Sequence, residues 1–250
     1  QILAEPNAPS PHGHGAIFLA DDNFTAHRRR TRELLVAIRD WNNRQPEGRV
    51  AMATQLSIDI ARDDDILALC AEAGICNVFI GIETPNEASL KEAHKRQNVG
   101  VDLGAAIQRF LDHGIAVFCG MIVGFDADGP DIFQRQYDFA MSVPVPIFML
   151  GALVAPEATP LYDRMARENR LAWPWQDANA ANATHTSIAL PWLTNIVPNQ
   201  MSQSELLEGI RWLANRLYAP AAFGERMLHL IERFQEPTVP LAPRRELRPG

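Results

Sequence analysis

Two glycines flank three apolar residues over residues 120–124, where an apolar run suited to a buried strand comes to its end. Because glycine has no side chain, backbone near Gly120, Ile122 and Gly124 could lie against a flat ring, and its amide and carbonyl groups could read a purine edge. Close approach of a neighbouring helix is the alternative explanation for glycines in a strand. We favour ligand contact because Asp126 follows at the face where chemistry is expected.

A carboxylate, Glu83, ends a second apolar run and is followed by Thr84 and Pro85. It could accept hydrogen bonds from vicinal hydroxyls or bind an ammonium group, and each such charged bond contributes roughly 1.5–3 kcal/mol. It could instead cap the next helix, but Asn86 is better placed for that role. The sequence therefore favours a binding role for Glu83.

A third apolar run ends in Asp21, Asp22 and Asn23. Divalent cations prefer several oxygen ligands, and no second carboxylate or histidine cluster lies nearby in the sequence. We expect no metal site here. Instead, one residue should cap a helix that begins near Thr25 while another faces the cavity.

These polar groups follow strands that alternate with helical patterns. Strands are predicted at residues 15–20, 50–55, 77–82, 115–123 and 147–154. Helices are predicted at residues 25–42, 63–73, 86–95, 101–113, 128–142, 159–169, 204–217 and 221–234. Polar residues at strand ends in repeated strand–helix units are typical of a parallel α/β barrel, here a partial one, followed by a small helical domain.

Composition narrows the possible partners. A formal net charge of −7 argues against a nucleic-acid partner, and no apolar stretch is long enough to cross a bilayer. Cys70, Cys76 and Cys119 show no close spacing, which indicates reduced thiols in a cytoplasmic protein. The chain begins at Gln1, and its opening residues suggest a fragment of something longer.

Six segments together resemble the radical S-adenosylmethionine (SAM) enzymes. More narrowly, they resemble the cobalamin-dependent subgroup with a helical C-terminal domain of unknown function, to which the hopanoid C-methylases belong. The segments are residues 18–24, 79–85, 95–98, 121–126, 194–198 and 217–220. The resemblance extends along nearly the whole chain from Gly15 to about Phe234, and the joint match is specific where any single segment would be weak.

The resemblance implies a SAM-binding role for residues at strand ends, namely Asp22, Asn23, Glu83, Gly120, Ile122 and Gly124. The three residues at 120, 122 and 124 would lie along the adenine. Glu83 would reach the ribose or methionyl portion, and residues 22 and 23 would approach the methionyl amino group. Lys95, Gln97 and Asn98 would border the substrate side of the cavity, while no catalytic residue is implied.

The same resemblance leads us to expect a four-iron, four-sulfur cluster on a C-x-x-x-C-x-x-C loop and a cobalamin-binding domain, and this chain contains neither. Cluster thiolates are obligatory for reductive SAM cleavage. We therefore expect the chain alone to be inactive and its parent to transfer a methyl group from cobalamin to an unactivated carbon, using an electron donor protein. The lone edge at residues 15–20 should favour self-association.

The predicted domains are a partial barrel at residues 1–170, a helical domain at 171–235 and a disordered tail at 236–250. Trp192, Trp212 and Leu217 suggest that the helical domain admits a lipid-like substrate. Two alternatives stay open: another reaction of the same subgroup, such as ring rearrangement or thiomethylation, and a non-catalytic binding module. Aldolase-type chemistry ranks last because no lysine stands at a strand end.

Overall fold

The computed structural model describes residues 16–45, 48–172 and 194–235. The strands are β1 (Ile17–Leu19), β2 (Met52–Leu56), β3 (Ile75–Glu83), β4 (Ala116–Val123) and β5 (Phe148–Ala152). The helices are α1 (Arg28–Asn42), α2 (Asp64–Ala73), α3 (Glu87–Glu92), α4 (Leu103–Asp112), α5 (Ile132–Ser142), α6 (Pro160–Arg167), α7 (Gln203–Leu217) and α8 (Pro220–Arg233). Within these ranges no helix has the length and apolar character needed to cross a membrane. The predicted tail at 236–250 lies outside the described residues.

The five strands form one sheet in the order β1-β2-β3-β4-β5. Parallel pairing aligns Ile17 with Met52, Thr54 with Val78, and Cys119 with Phe148. Parallel neighbours require crossover connections, and helices supply them here. The predicted α/β class with a parallel sheet is confirmed.

The chain divides into two units, of which the first holds residues 16–80, 102–118 and 231–235 as far as they are described. Its core depends on Asn42, a fully buried amide at the end of α1. This side chain donates to the carbonyls of Val50 and Ala73, both at 2.9 Å, and accepts from the Val50 N–H. Gly74 ends α2 with φ +97°, and an added Cβ there would meet Asn42 Nδ2 at 2.4 Å.

The second unit holds residues 81–101 and, as far as they are described, 119–230. Its main cluster joins the ends of β4 and β5 to α5 and α7 and consists of Val123, Ile132, Phe133, Ala152, Met201, Leu206 and Ile210. In a second cluster, Met165 of α6 packs with Ala155 and Ile196. Helix α7 is therefore packed directly on strand ends that belong to the same unit.

Three helices begin or end three or more residues away from their predicted bounds, each for a local reason. α1 begins at Arg28, because the Asn23 side chain accepts from the N–H and hydroxyl of Thr25 and holds a turn there. α3 ends at Glu92, because His94 has a left-handed backbone with φ 54°. α5 begins at Ile132, because Asp128 closes a turn onto Phe125.

Candidate functional site

A pocket of about 280 Å³ lies in the second unit beside the ends of β3 and β4. Its polar lining residues are Glu83, Glu92, His94, Lys95 and Arg164, and its other lining residues are Ala93, Ile122, Phe125, Leu153 and Leu161. Three of the residues singled out in the sequence (Glu83, Lys95 and Ile122) lie together here. A carboxylate and a mostly apolar wall thus share one cavity.

Glu83 is held in an unusual conformation at the end of β3. Its φ is 69°, in the left-handed region, which costs a non-glycine residue about 1–3 kcal/mol and tends to occur at functional sites. The carboxylate is buried and pairs with Lys95, whose Nζ lies 2.9 Å from Glu83 Oε1. An added Cβ on Gly81 would lie 2.5 Å from the same oxygen, so glycine at 81 makes room for the carboxylate.

The segment after α3 is tied to β3 through Asn98. This buried amide donates to the carbonyl oxygens of Gly81 and Ile82, both at 3.0 Å. Gln97 is exposed, and Lys95 extends over Glu83. Of the three residues expected on the substrate side, Lys95 lines the pocket, while the amide donors of Asn98 are used to hold the strand end.

Residues 120–123 end β4 and Gly124 follows it, and the three expected ligand contacts in this segment have different surroundings. Ile122 lines the pocket, and Gly120 is buried and aligned with Met149 of β5. Gly124 has φ +104°, and an added Cβ would lie 3.1 Å from Leu206 Cδ2. Close approach of α7, the alternative considered for these glycines, therefore explains the one at 124.

Asp22 and Asn23 lie in the first unit, between β1 and α1. Asp21 accepts from the Asn23 N–H at 2.9 Å, and Asp22 is exposed. The expected helix cap is wrong: α1 starts after His27, and no side chain caps it. These residues instead build the turn that connects strand to helix.

Asp128 organises the loop after β4 and was missed by the sequence analysis. It is fully buried, and its two oxygens accept from the Ser89 hydroxyl (2.6 Å), the Asn86 amide (3.2 Å), and the N–H groups of Gly124 (3.0 Å) and Phe125 (3.1 Å). Burial raises the pKa of this carboxyl, and the four hydrogen bonds oppose the rise. The signal in the sequence was a carboxylate placed four residues after Gly124, in the loop that follows an apolar strand.

A second unpredicted group surrounds Asp126 beside the pocket. Arg164 of α6 bridges Asp126 and Glu92, with both contacts at 2.8 Å, and Arg170 reaches the other oxygen of Asp126 at 2.5 Å. The Asp126 N–H also donates to Glu92 Oε2 at 2.9 Å. Burial would raise the pKa of Asp126, but the hydrogen bonds and charges of Arg170 and Arg164 outweigh it and hold that pKa below its ordinary value.

This lowered pKa predicts a pH-dependent contribution to stability. The unfolded carboxyl protonates first as pH falls, so the ionised Asp126 stabilises the fold above its ordinary pKa of 3.8, and the contribution is lost as pH passes down through the lowered value. We expect the difference in unfolding free energy between the wild type and Asp126→Asn to be present at about pH 6 and to shrink by about pH 3, measured by urea denaturation.

The control is Asp131→Asn, because Asp131 is an exposed carboxylate whose contact with Arg135 is 3.7 Å long. Its difference from the wild type should be small and should vary little with pH. A stability difference for Asp126→Asn that stays constant from about pH 6 to about pH 3 would contradict the assignment.

The cysteines do not fit an iron–sulfur cluster in the described part of the chain. Cys70 and Cys119 are fully buried, and burial raises the pKa of the Cys70 thiol to about 12 and raises that of Cys119 as well. Cys76 is partly buried, and its pKa is also raised by burial. Across residues 16–45, 48–172 and 194–235, no three His, Cys, Asp or Glu side chains are grouped to hold a metal ion.

Three residues suggested a lipid-like substrate, and the structure describes the surroundings of two of them. Leu217 is completely buried in the packing of α7. Trp212 is partly exposed, with its ring edge-on to Tyr137 and the Arg216 guanidinium 5.3 Å from its centroid. Trp192 lies outside the described residues.

The chain is similar to a protein family and to several proteins of known sequence. Residues 159–248 match a domain of unknown function, DUF4070. The chain is 34% identical over 157 residues to the hopanoid C-2 methylase of Rhodopseudomonas palustris and 30% identical over 185 residues to an uncharacterized methyltransferase of Synechocystis. These alignments cover 63% and 74% of this chain but 30% and 33% of the relatives, so the chain spans about a third of their length.

A solved structure supports the fold. The radical SAM methyltransferase TsrM from Kitasatospora setae, determined with cobalamin and a [4Fe-4S] cluster bound, superposes with a TM-score of 0.52 and 16% sequence identity. The match covers 61% of this chain and 30% of that one. At this identity the likeness establishes a shared fold.

Proposed function

Because this chain belongs to the radical SAM family that carries the helical domain DUF4070, we propose that its pocket binds the adenosyl portion of SAM and that the whole protein is a methyltransferase. The observation that carries the proposal is the meeting of Glu83 with the apolar wall at Ile122 in one cavity. SAM supplies an activated methyl group and, on reductive cleavage, a 5′-deoxyadenosyl radical.

The lining chemistry suits a nucleoside. A flat apolar base can pack against Ile122, Phe125 and Leu153, which bury it from water. The Glu83 carboxylate accepts hydrogen bonds, as ribose hydroxyls or an ammonium group require. Since Lys95 already pairs with one Glu83 oxygen, its charge is partly compensated, which favours neutral hydroxyl donors over a second cation.

The proposed reaction, substrate and electron donor concern the whole protein. A methyl transfer through cobalamin to an unactivated carbon of a lipid-like substrate is supported by the names of the relatives, one a hopanoid C-2 methylase and one solved with cobalamin. Electrons would come from a donor protein. None of the described cysteines fits the cluster, so we assign no step of SAM cleavage to them and expect no cleavage by this chain alone.

The proposal is tested with S-adenosylhomocysteine as a probe, titrated calorimetrically into the 250-residue chain. Glu83→Gln keeps the side-chain size but weakens the acceptor, and we expect binding about tenfold weaker or more, since a charged hydrogen bond is worth about 1.5–3 kcal/mol. The matched control is Glu87→Gln, which also removes an acidic partner of a lysine (Lys91, 3.7 Å) but lies outside the pocket lining.

The control should change the dissociation constant less than about twofold. The proposal fails if the wild type does not bind the probe, or if Glu83→Gln and Glu87→Gln bind equally well. A reference titration with adenine alone separates base packing from recognition by Glu83, because the free base lacks the ribose hydroxyls.

A further inference from the structure

The segment that matches the domain of unknown function contributes directly to the pocket wall. The match starts at residue 159, and α6 (Pro160–Arg167) follows at once. Thr159 caps this helix by accepting from the Tyr162 N–H, and Pro160 occupies its first turn. From α6, Leu161 and Arg164 line the pocket.

Arg164 closes a ring of contacts with two carboxylates from different elements. One nitrogen lies 2.8 Å from Asp126 Oδ2 and another 2.8 Å from Glu92 Oε1, while the Asp126 N–H donates to Glu92 Oε2. A planar guanidinium can hold two carboxylates at fixed angles, whereas a lysine ammonium is a single point of charge. The geometry therefore depends on arginine at this position.

More contacts from the same segment hold Asp126. Arg170 binds Asp126 Oδ1 and also donates to the Val197 carbonyl at 3.0 Å, and Gln200 donates to the Asp126 carbonyl at 2.7 Å. Thr194 and Asn195 of the same segment bond to Leu153 and Ala155, just after β5. The segment is thus anchored by residues that follow α6 in the chain.

Glu92 connects the contacts of Arg164 to the position of the Glu83 carboxylate. It is the last residue of α3, and the chain turns sharply at His94 before Lys95 reaches Glu83. Lys95 donates its N–H to the Leu90 carbonyl at 2.9 Å, so its backbone is set by the end of α3. Holding Glu92 consequently holds the short stretch from which Lys95 extends.

We propose that the domain matched at residues 159–248 has a role in binding: Arg164 is a positioning residue that clamps Glu92 and Asp126, thereby placing Lys95 and Glu83, and Leu161 completes the apolar wall. The proposal rests on the proposed function of the same pocket. It assigns to this domain the task of shaping the site for an adenosyl ligand. Arg164 acts through its two carboxylate partners.

The test compares Arg164→Lys with Arg167→Lys, an exposed arginine of the same helix. With S-adenosylhomocysteine as the probe and the full 250-residue chain, we expect Arg164→Lys to bind about tenfold more weakly and Arg167→Lys less than about twofold more weakly. Amide hydrogen exchange over residues 92–98 should also be faster in Arg164→Lys, before any ligand is added.

A second variant covers the case in which Arg164→Lys folds poorly. Leu161→Ala leaves every ion pair in place and should weaken probe binding by about threefold to tenfold, because apolar wall area is lost. If the wild type binds the probe but Arg164→Lys and Leu161→Ala bind as tightly, the inference is overturned while the proposed function stands. If the wild type itself does not bind, both fall, and unchanged exchange at residues 92–98 would rule out the clamp independently of any ligand.

Discussion

Arg226→Ala is expected to lower the free energy of unfolding by about 3–5 kcal/mol, the largest effect we predict for a single substitution in this chain. Arg226 of α8 is completely buried, and burial lowers the pKa of its guanidinium. It donates to the carbonyls of Leu217 (2.7 Å), Pro146 (3.2 Å) and Ala222 (3.2 Å). Removing it leaves these acceptors without their donor and opens a cavity.

Aromatic rings complete the surroundings of Arg226. Its guanidinium carbon lies 5.8–5.9 Å from the ring centroids of Phe148, Tyr218 and Phe223, a distance at which a cation is attracted by a ring face. Tyr218 also bonds both the N–H and the carbonyl of Phe148, which ties α7 to β5. The substitution should therefore loosen the attachment of α7 and α8 to the edge strand.

Urea denaturation followed by circular dichroism measures this effect. The control is Arg211→Ala, because Arg211 is an exposed arginine on α7, and its stability should lie within about 0.5 kcal/mol of the wild type. Similar midpoints for the two variants would contradict the structural role assigned to Arg226. Arg226→Lys should fall between the wild type and Arg226→Ala, since a lysine cannot reach three carbonyls in a fork.

Asp128→Ala is expected to destabilise the fold by about 3 kcal/mol or more and to disorder the loop that follows β4. The Ser89 hydroxyl and the N–H groups of Gly124 and Phe125 lose this acceptor, and the Asn86 side-chain amide loses one of its two bonds, keeping the one to the Ala127 carbonyl. Both backbone donors are buried, so they cannot turn to solvent. Since Phe125 lines the pocket, probe binding should be weakened as well.

Asp128→Asn is the matched variant, because the amide keeps one acceptor oxygen and nearly the same shape. Its loss should be about half that of Asp128→Ala or less. Amide exchange at residues 124–126 would report the loop directly, with the alanine variant exchanging fastest. Equal stability of the wild type and Asp128→Ala would show that the four bonds contribute no net stability.

Much of the fold could be predicted because its signals are local. Gly74 ends α2 with a positive φ, Asn86 caps α3 and Pro160 opens α6, each as its residue type indicates. The alternation of apolar runs with amphipathic stretches was enough to indicate a parallel sheet. Helix ends were predicted less well where a side chain from elsewhere held the turn, as Asp128 does before α5.

The residues of the site differ in the same way: those with a local signal could be predicted, and those held by contacts distant in sequence could not. Glu83 and Ile122 could be identified from sequence because each ends an apolar run and therefore lies at a strand end. Arg164 could not, since nothing near it in the chain points to Glu92 or Asp126, which lie 72 and 38 residues away. Gly124 had the correct signal but was open to two explanations, and its surroundings favour helix packing.

By itself, the sequence determined the order and type of the elements, the strand ends that carry polar groups, and the kinship of the chain. Only the tertiary structure decided which of those groups share a cavity and that α6 completes its wall. The physical reason is the distance along the chain over which each kind of interaction acts. Periodicity, caps and glycines act within a few residues, whereas ion pairs such as Arg164 with Asp126 depend on how separate elements pack.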